Sequence, residues 1–198
     1  MKHVRKGFVA IGFVFFSLVS KADYLKATII LVDGNTRSGL VDSDLSEVVM
    51  FKVAENADVE QIKSSTIKSV SMQKGSALSK FCYLKVYEGL SQKRVSRDAI
   101  WLKVVEKGAA TLFMHSSAQG SSSKEFIEYY AWREGEPAAK LIGQVSAINE
   151  NQIFWAKAPL YFEDYPKLAA KIVSKKYTSK DVVHVVQEYN EWAVRKKG

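Results

Sequence analysis

The residues able to do chemistry are few and scattered. Cys82 is the single cysteine of the 198 residues, and the histidines are His3, His115 and His184. A thiolate nucleophile needs an electropositive, partly wet setting. Cys82 instead sits in the apolar run Phe81-Cys82-Tyr83-Leu84, so a buried, inert thiol is expected. His115 closes the run Thr111-Leu112-Phe113-Met114 beside Ser116 and Ser117. Serine next to histidine suggests acyl transfer, but neighbours on a strand point to opposite faces, and no G-x-S-x-G elbow is present. His184 has Glu188 four residues on, a spacing that two metal ligands on one helix would use. A metal site needs three or more donors, and H-E-x-x-H is absent. No catalytic residue, metal ligand or cofactor is therefore assigned.

Carboxylates and aromatics remain. Glu125, Glu128, Glu134 and Glu136 gather around one hairpin, and glycoside hydrolysis sets two carboxyl groups across a sugar. Glu125 and Glu128 are an odd number apart and face opposite sides of a regular strand, so polar positions that keep a strand soluble are the preferred reading. In Phe126-Ile127-Glu128-Tyr129-Tyr130-Ala131-Trp132, the residues Phe126, Glu128, Tyr130 and Trp132 share one face. Exposed, Tyr130 and Trp132 with Glu128 beside them would make a stacking platform for sugars or a docking patch for protein. Packed under a helix layer, the same residues would be core, with Trp155, Tyr161, Phe162 and Trp192 as partners; this is the preferred reading.

The N-terminal end speaks to compartment. Lys2, Arg5 and Lys6 precede Gly7 to Val19, which hold no ionisable residue, and Ser20-Lys21-Ala22 offers small side chains before Asp23. That is the plan of a cleavable secretory signal peptide over residues 1–22, cut between Ala22 and Asp23. The apolar run is 13 residues, short of the roughly 20 that cross a bilayer, and no cysteine follows it to carry a lipid. The expected mature chain is periplasmic or secreted, without stable membrane insertion. It has 176 residues, enough to bury a core without disulfides, which a lone cysteine excludes within one chain. The formal charge of +8 falls to +4 once Lys2, Arg5, Lys6 and Lys21 leave with the leader. No clustered basic face remains, so nucleic acid is not an expected partner.

The elements that must position these residues are read from periodicity. Leu25–Val32, Ser38–Val41, Val48–Val53, Val59–Lys63 and Ile67–Met72 read as short strands, with Asp33-Gly34-Asn35 and Ser64-Ser65-Thr66 as turns. With DGNTRSG and VDSD between apolar strands, residues 25–73 resemble a small Sm-like barrel. The resemblance implies closure of residues 23–75 into a β-barrel and no particular activity. Phe81–Tyr87, Ile100–Glu106, Ala110–His115, Phe126–Arg133 and Lys140–Val145 read as an antiparallel sheet over 76–146, the last four as a meander, with Gly89 to Asp98 as an exposed loop. From 149 to 198 the period becomes helical. Asn151–Phe162 is interrupted by Pro159, which marks a kink or a later start, and Pro166–Lys175 comes next. A last helix, capped by Thr178 or Ser179 with Asp181 in its first turn, carries the stripe Val182, Val185, Val186, Tyr189 and Trp192.

The string IFWAKAPLYFEDYPKLAAKIVSKKYTSKDVVHVVQEYNEW resembles the ending of uncharacterised exported proteins of Bacteroidota, which share an aromatic run, a D-x-P-x-L turn and a closing Y-N-x-W. This chain departs from that pattern in having Tyr165 where a cysteine is common. The resemblance implies export and a two-part α+β architecture, and no chemistry. The expectation is an exported, non-catalytic binding or interaction module of the bacterial cell envelope, with an envelope protein or polymer as partner. The alternative is a periplasmic hydrolase acting on an envelope polymer through carboxylates.

Overall fold

The computed structural model describes residues 23–118, 125–145 and 150–197. The leader expected over 1–22, with the Ala22 side of its cleavage site, lies outside them. The fold is α+β. Ten strands form one antiparallel sheet, and three helices follow at the C-terminus.

The first five strands are β1 (Tyr24–Leu31), β2 (Thr36–Asp42), β3 (Val48–Lys52), β4 (Glu60–Lys63) and β5 (Ile67–Lys74), in the order β5-β1-β2-β3-β4. Alternation turns Ala27, Ile29, Val41, Val49, Phe51, Ile62, Val70 and Met72 to one side, where they and Ile67 form a single buried cluster. For one face of five strands to share a core, the sheet must curl. Gly39 permits it, because a Cβ there would lie 2.2 Å from the Lys52 carbonyl and 2.7 Å from the Phe51 ring. Curling stops short of the expected barrel. β5 is paired with β1 on one edge and with β6 (Ala77–Leu84) on the other. It therefore has no free edge for β4, a four-residue strand, and the sheet stays open.

Through β6 the sheet runs on into β9 (Ile100–Glu106), β10 (Thr111–Ala118), β11 (Glu125–Trp132) and β12 (Lys140–Val145), the last four as a meander. The boundary expected between 75 and 76 falls in the β5–β6 hairpin, and the hydrogen-bond ladder crosses it. Residues 89–98 are more than the exposed loop expected. β7 (Tyr87–Glu88) and β8 (Arg94–Val95) pair there as a ribbon, and Gln92 donates to the Leu141 carbonyl. Val86, on this ribbon segment, joins Leu102, Phe113, Tyr130 and Leu141 in the core on one face of the sheet.

The helices cover the other face. α1 (Glu150–Tyr161), α2 (Pro166–Val173) and α3 (Val182–Lys197) bury Phe154, Leu168, Ile172, Val182, Val185, Val186 and Tyr189 against Ala110, Leu112, Ala131 and Ile142. α1 runs through Pro159 without a break, and the Phe162 N–H still reaches the Ala158 carbonyl at 3.0 Å. α3 is entered through a short 3-10 turn, where the Thr178 N–H and hydroxyl both donate to Asp181 Oδ2 at 2.8 Å. Those bonds hold the Asp181 carboxyl below its ordinary range. Among the described residues no helix is long and apolar enough to cross a membrane.

Candidate functional site

Between the curled five strands and the helix layer, a stretch of the same sheet face is left uncovered by the described residues and forms a groove of about 820 Å³. Strand register explains its floor. Tyr83 pairs with Trp101, Phe81 with Lys103, and Lys103 with Met114, so these side chains emerge side by side on one face. The connection between β2 and β3 overhangs one side with Asp44, Leu45, Ser46 and Glu47, and Asp98 and Ala99 contribute the approach to β9.

Trp101 locks the overhang to the floor. Its indole N–H donates to the Ser46 carbonyl at 2.8 Å and lies 3.2 Å from Ser64 Oγ. Ser64, wholly buried, donates its own hydroxyl to the same carbonyl. The Tyr83 ring tilts against Trp101 with centroids 5.2 Å apart. Burial pushes the Tyr83 phenol up, and the carboxylates of Glu47 and Asp98, which line the same groove, add to the rise. Asp44, Glu47 and Asp98 are exposed. The groove thus combines aromatic faces, which favour apolar or cationic groups, with a rim of three carboxylates that outnumber the one lysine of the floor, Lys103.

A second property of the groove is main-chain geometry. The β9–β10 ladder joins Glu106 to Leu112, Val104 to Phe113 and Lys103 to Met114, and ends there. Beyond it, Ile100, Trp101 and Leu102 pair with β6 alone, and residues from His115 onward pair with β11 alone. The sheet forks at Lys103 and Met114. Ile100 and Trp101 of one prong and His115 and Ser116 of the other line the groove.

The residues singled out in the sequence fall in several places. His115 stands opposite Glu128 across the β10–β11 ladder, its buried Nδ1 3.5 Å from Glu128 Oε2 and without a hydrogen bond among the described residues. Tyr130 donates its hydroxyl to the same Glu128 oxygen at 3.0 Å. Tyr130 is buried, only 6% exposed, and burial raises its phenol first, with Glu128 adding to it. Trp132, partly buried, donates to the Glu136 carbonyl at 2.8 Å. Glu125's side chain lies outside those described. Glu134 is exposed, and Glu136 accepts from the Arg133 N–H and the Tyr161 hydroxyl. Glu128 and Glu136 therefore serve different surroundings and do not face each other across a cleft.

Cys82 lies on the face opposite the groove floor, and burial pushes its thiol up. His184 is exposed and meets the Tyr177 ring edge-on at 5.7 Å, while Glu188 accepts from Lys171 and Tyr177. Among the described residues no three His, Cys, Asp or Glu side chains gather where a metal would sit.

Arg133 is the polar residue that the sequence does not single out. It donates to the Tyr161 carbonyl at 2.8 Å and to Asp164 Oδ1 at 2.9 Å, with its guanidinium over the rings of Tyr161 and Tyr189. Tyr189 completes the ring by donating to Asp164 Oδ2, and its phenol is pushed up to about 12, chiefly by burial. One terminal nitrogen of Arg133 makes both bonds, while its buried Nε has no hydrogen-bond partner among the described residues, and the cluster ties the β11–β12 turn to the helices. Comparison of the chain with models of protein families, with curated proteins and with solved structures finds no match.

Proposed function

We propose that this chain is an exported, non-catalytic binding module of the bacterial cell envelope, and that it takes its partner in the groove floored by Phe81, Tyr83 and Trp101. The groove carries the reading: it is a concavity of about 820 Å³, and its aromatic floor is pinned in place by hydrogen bonds. On this reading the first five strands act as an opened small barrel of Sm-like type. Their order and shared core support it, and the overhang from β2 to β3 supplies one wall. Export rests on the basic, apolar and small-residue plan of residues 1–22.

The test is hydrogen exchange of the purified protein with isolated peptidoglycan, envelope lipid or envelope protein fractions. One fraction should slow exchange over 98–103 and 113–116 and leave the β1–β2 hairpin unchanged. Uniform exchange with every fraction contradicts the reading. A second reading, hydrolysis of an envelope polymer, draws on the same rim, where Glu47 and Asp98 line the groove with Tyr83. New chain ends released from one fraction, and lost in Glu47→Gln, would favour it.

A further inference from the structure

We propose that the occupant of the groove is an extended polypeptide segment carrying lysine or arginine, which inserts into the fork between β9 and β10 and pairs its main chain with the strand edges left free there. The inference rests on the groove being the binding site and names what it binds.

Two independent observations select this occupant. The first is the fork. Continued in register, the ladder would match His115 with Leu102 and Ser116 with Trp101, yet neither pair forms among the described residues. Backbone groups on a strand edge are obligatory hydrogen-bonding groups, and an edge beside a groove is where an added strand gains main-chain bonds. A sugar or a lipid has no such ladder to offer. The second is charge. Without residues 1–22 the chain carries 25 lysines and arginines against 21 acidic residues, yet the groove is lined by the exposed carboxylates of Asp44, Glu47 and Asp98 around Tyr83 and Trp101, against the single lysine Lys103. A net-acidic rim on a mildly basic protein attracts a cationic partner and disfavours an anionic one. Along an inserted strand successive side chains alternate. One set emerges on the groove face beside Tyr83, Trp101 and the acidic rim, and the other on the opposite face beside Ile100 and Leu102, so an apolar–basic alternation matches the two faces.

The probe is a fluorescein-labelled peptide, roughly eight residues long, of alternating lysine and leucine, titrated into the purified protein by fluorescence anisotropy. Three comparisons decide. A copy N-methylated at alternate backbone nitrogens cannot donate to a strand edge and should bind at least about tenfold more weakly. A glutamate–leucine copy should not bind measurably. Glu47→Gln/Asp98→Asn, whose side chains make no hydrogen bond among the described residues and whose unfolding midpoint should match the parent, should weaken the parent peptide by about tenfold at low salt and little at high salt.

Equal affinity for the N-methylated copy overturns strand insertion, and an unchanged affinity in the double variant overturns the role of the rim. If the lysine–leucine peptide does not bind while an envelope fraction still protects 98–103 and 113–116, the groove reading stands and the polypeptide occupant falls. If neither occurs, both fall.

Discussion

Trp101 is the residue on which the groove turns. Its ring forms floor, its indole N–H reaches the overhang at Ser46, and Ser64 beneath it is sealed from water. Trp101→Phe keeps the ring and deletes the donor. The Ser46 carbonyl retains Ser64 as partner, so the expected loss of stability is about 0.5–1.5 kcal/mol, the net range of one neutral hydrogen bond. Urea unfolding reads the loss, and faster amide exchange over 43–47 should accompany it. An unchanged midpoint with unchanged exchange would mean that the overhang is held by packing alone. The importance of Trp101 is not legible in the sequence, where it is one aromatic in an apolar strand; its partners Ser46 and Ser64 are 55 and 37 residues away. Tyr130 and Trp132 stand out in the sequence because their spacing is visible, and the structure places Tyr130 in the core. A strand's alternation says which residues share a face and says nothing of what covers that face.

At the scale of elements, local chemistry is readable in the sequence and long-range docking is not. The Thr178–Asp181 entry to α3 and the stripe Val182, Val185, Val186 and Tyr189 are given by capping preference and helical period, and all four stripe residues are buried. Trp192, at the end of that stripe, is only partly buried and stacks on Tyr165 at 4.5 Å. The polar anchor of α3 lies off the stripe. Asn190 accepts from the Ala110 N–H at 2.8 Å and donates to the Ala110 carbonyl at 3.0 Å, holding the helix to the β9–β10 turn. Gly108 makes room for it, since a Cβ there would come within 2.3 Å of the Asn190 amide. Asn190→Ala strips both partners from one buried backbone unit and should cost about 2–4 kcal/mol, read as a lowered thermal midpoint. Asn190→Asp restores only the acceptor and should fall between. Loss near zero in Asn190→Ala would show that water serves Ala110 as well. The barrel expected for 23–75 fails to close for a reason of the same scale. A strand's second partner depends on the next segments of the chain, and β6 reaches the free edge of β5.

For the whole molecule, the architecture divides one sheet face into a part that curls on itself, a part that helices cover, and a strip between them that neither protects. The strip holds the fork, the aromatic floor and the acidic rim. Its existence depends on how far β9 and β10 stay paired, which no run of residues announces. The most direct test puts a photo-cross-linking amino acid at Tyr83 in cells producing the full-length protein, beside the same substitution at Leu78, which is 72% exposed on the same strand outside the groove. Ultraviolet light should give discrete adducts from the Tyr83 position that are absent from Leu78 and that disappear in the Glu47→Gln/Asp98→Asn background. Adducts of the same kind and yield at both positions, or none at Tyr83, would contradict the claim that this groove is where the protein meets its partner.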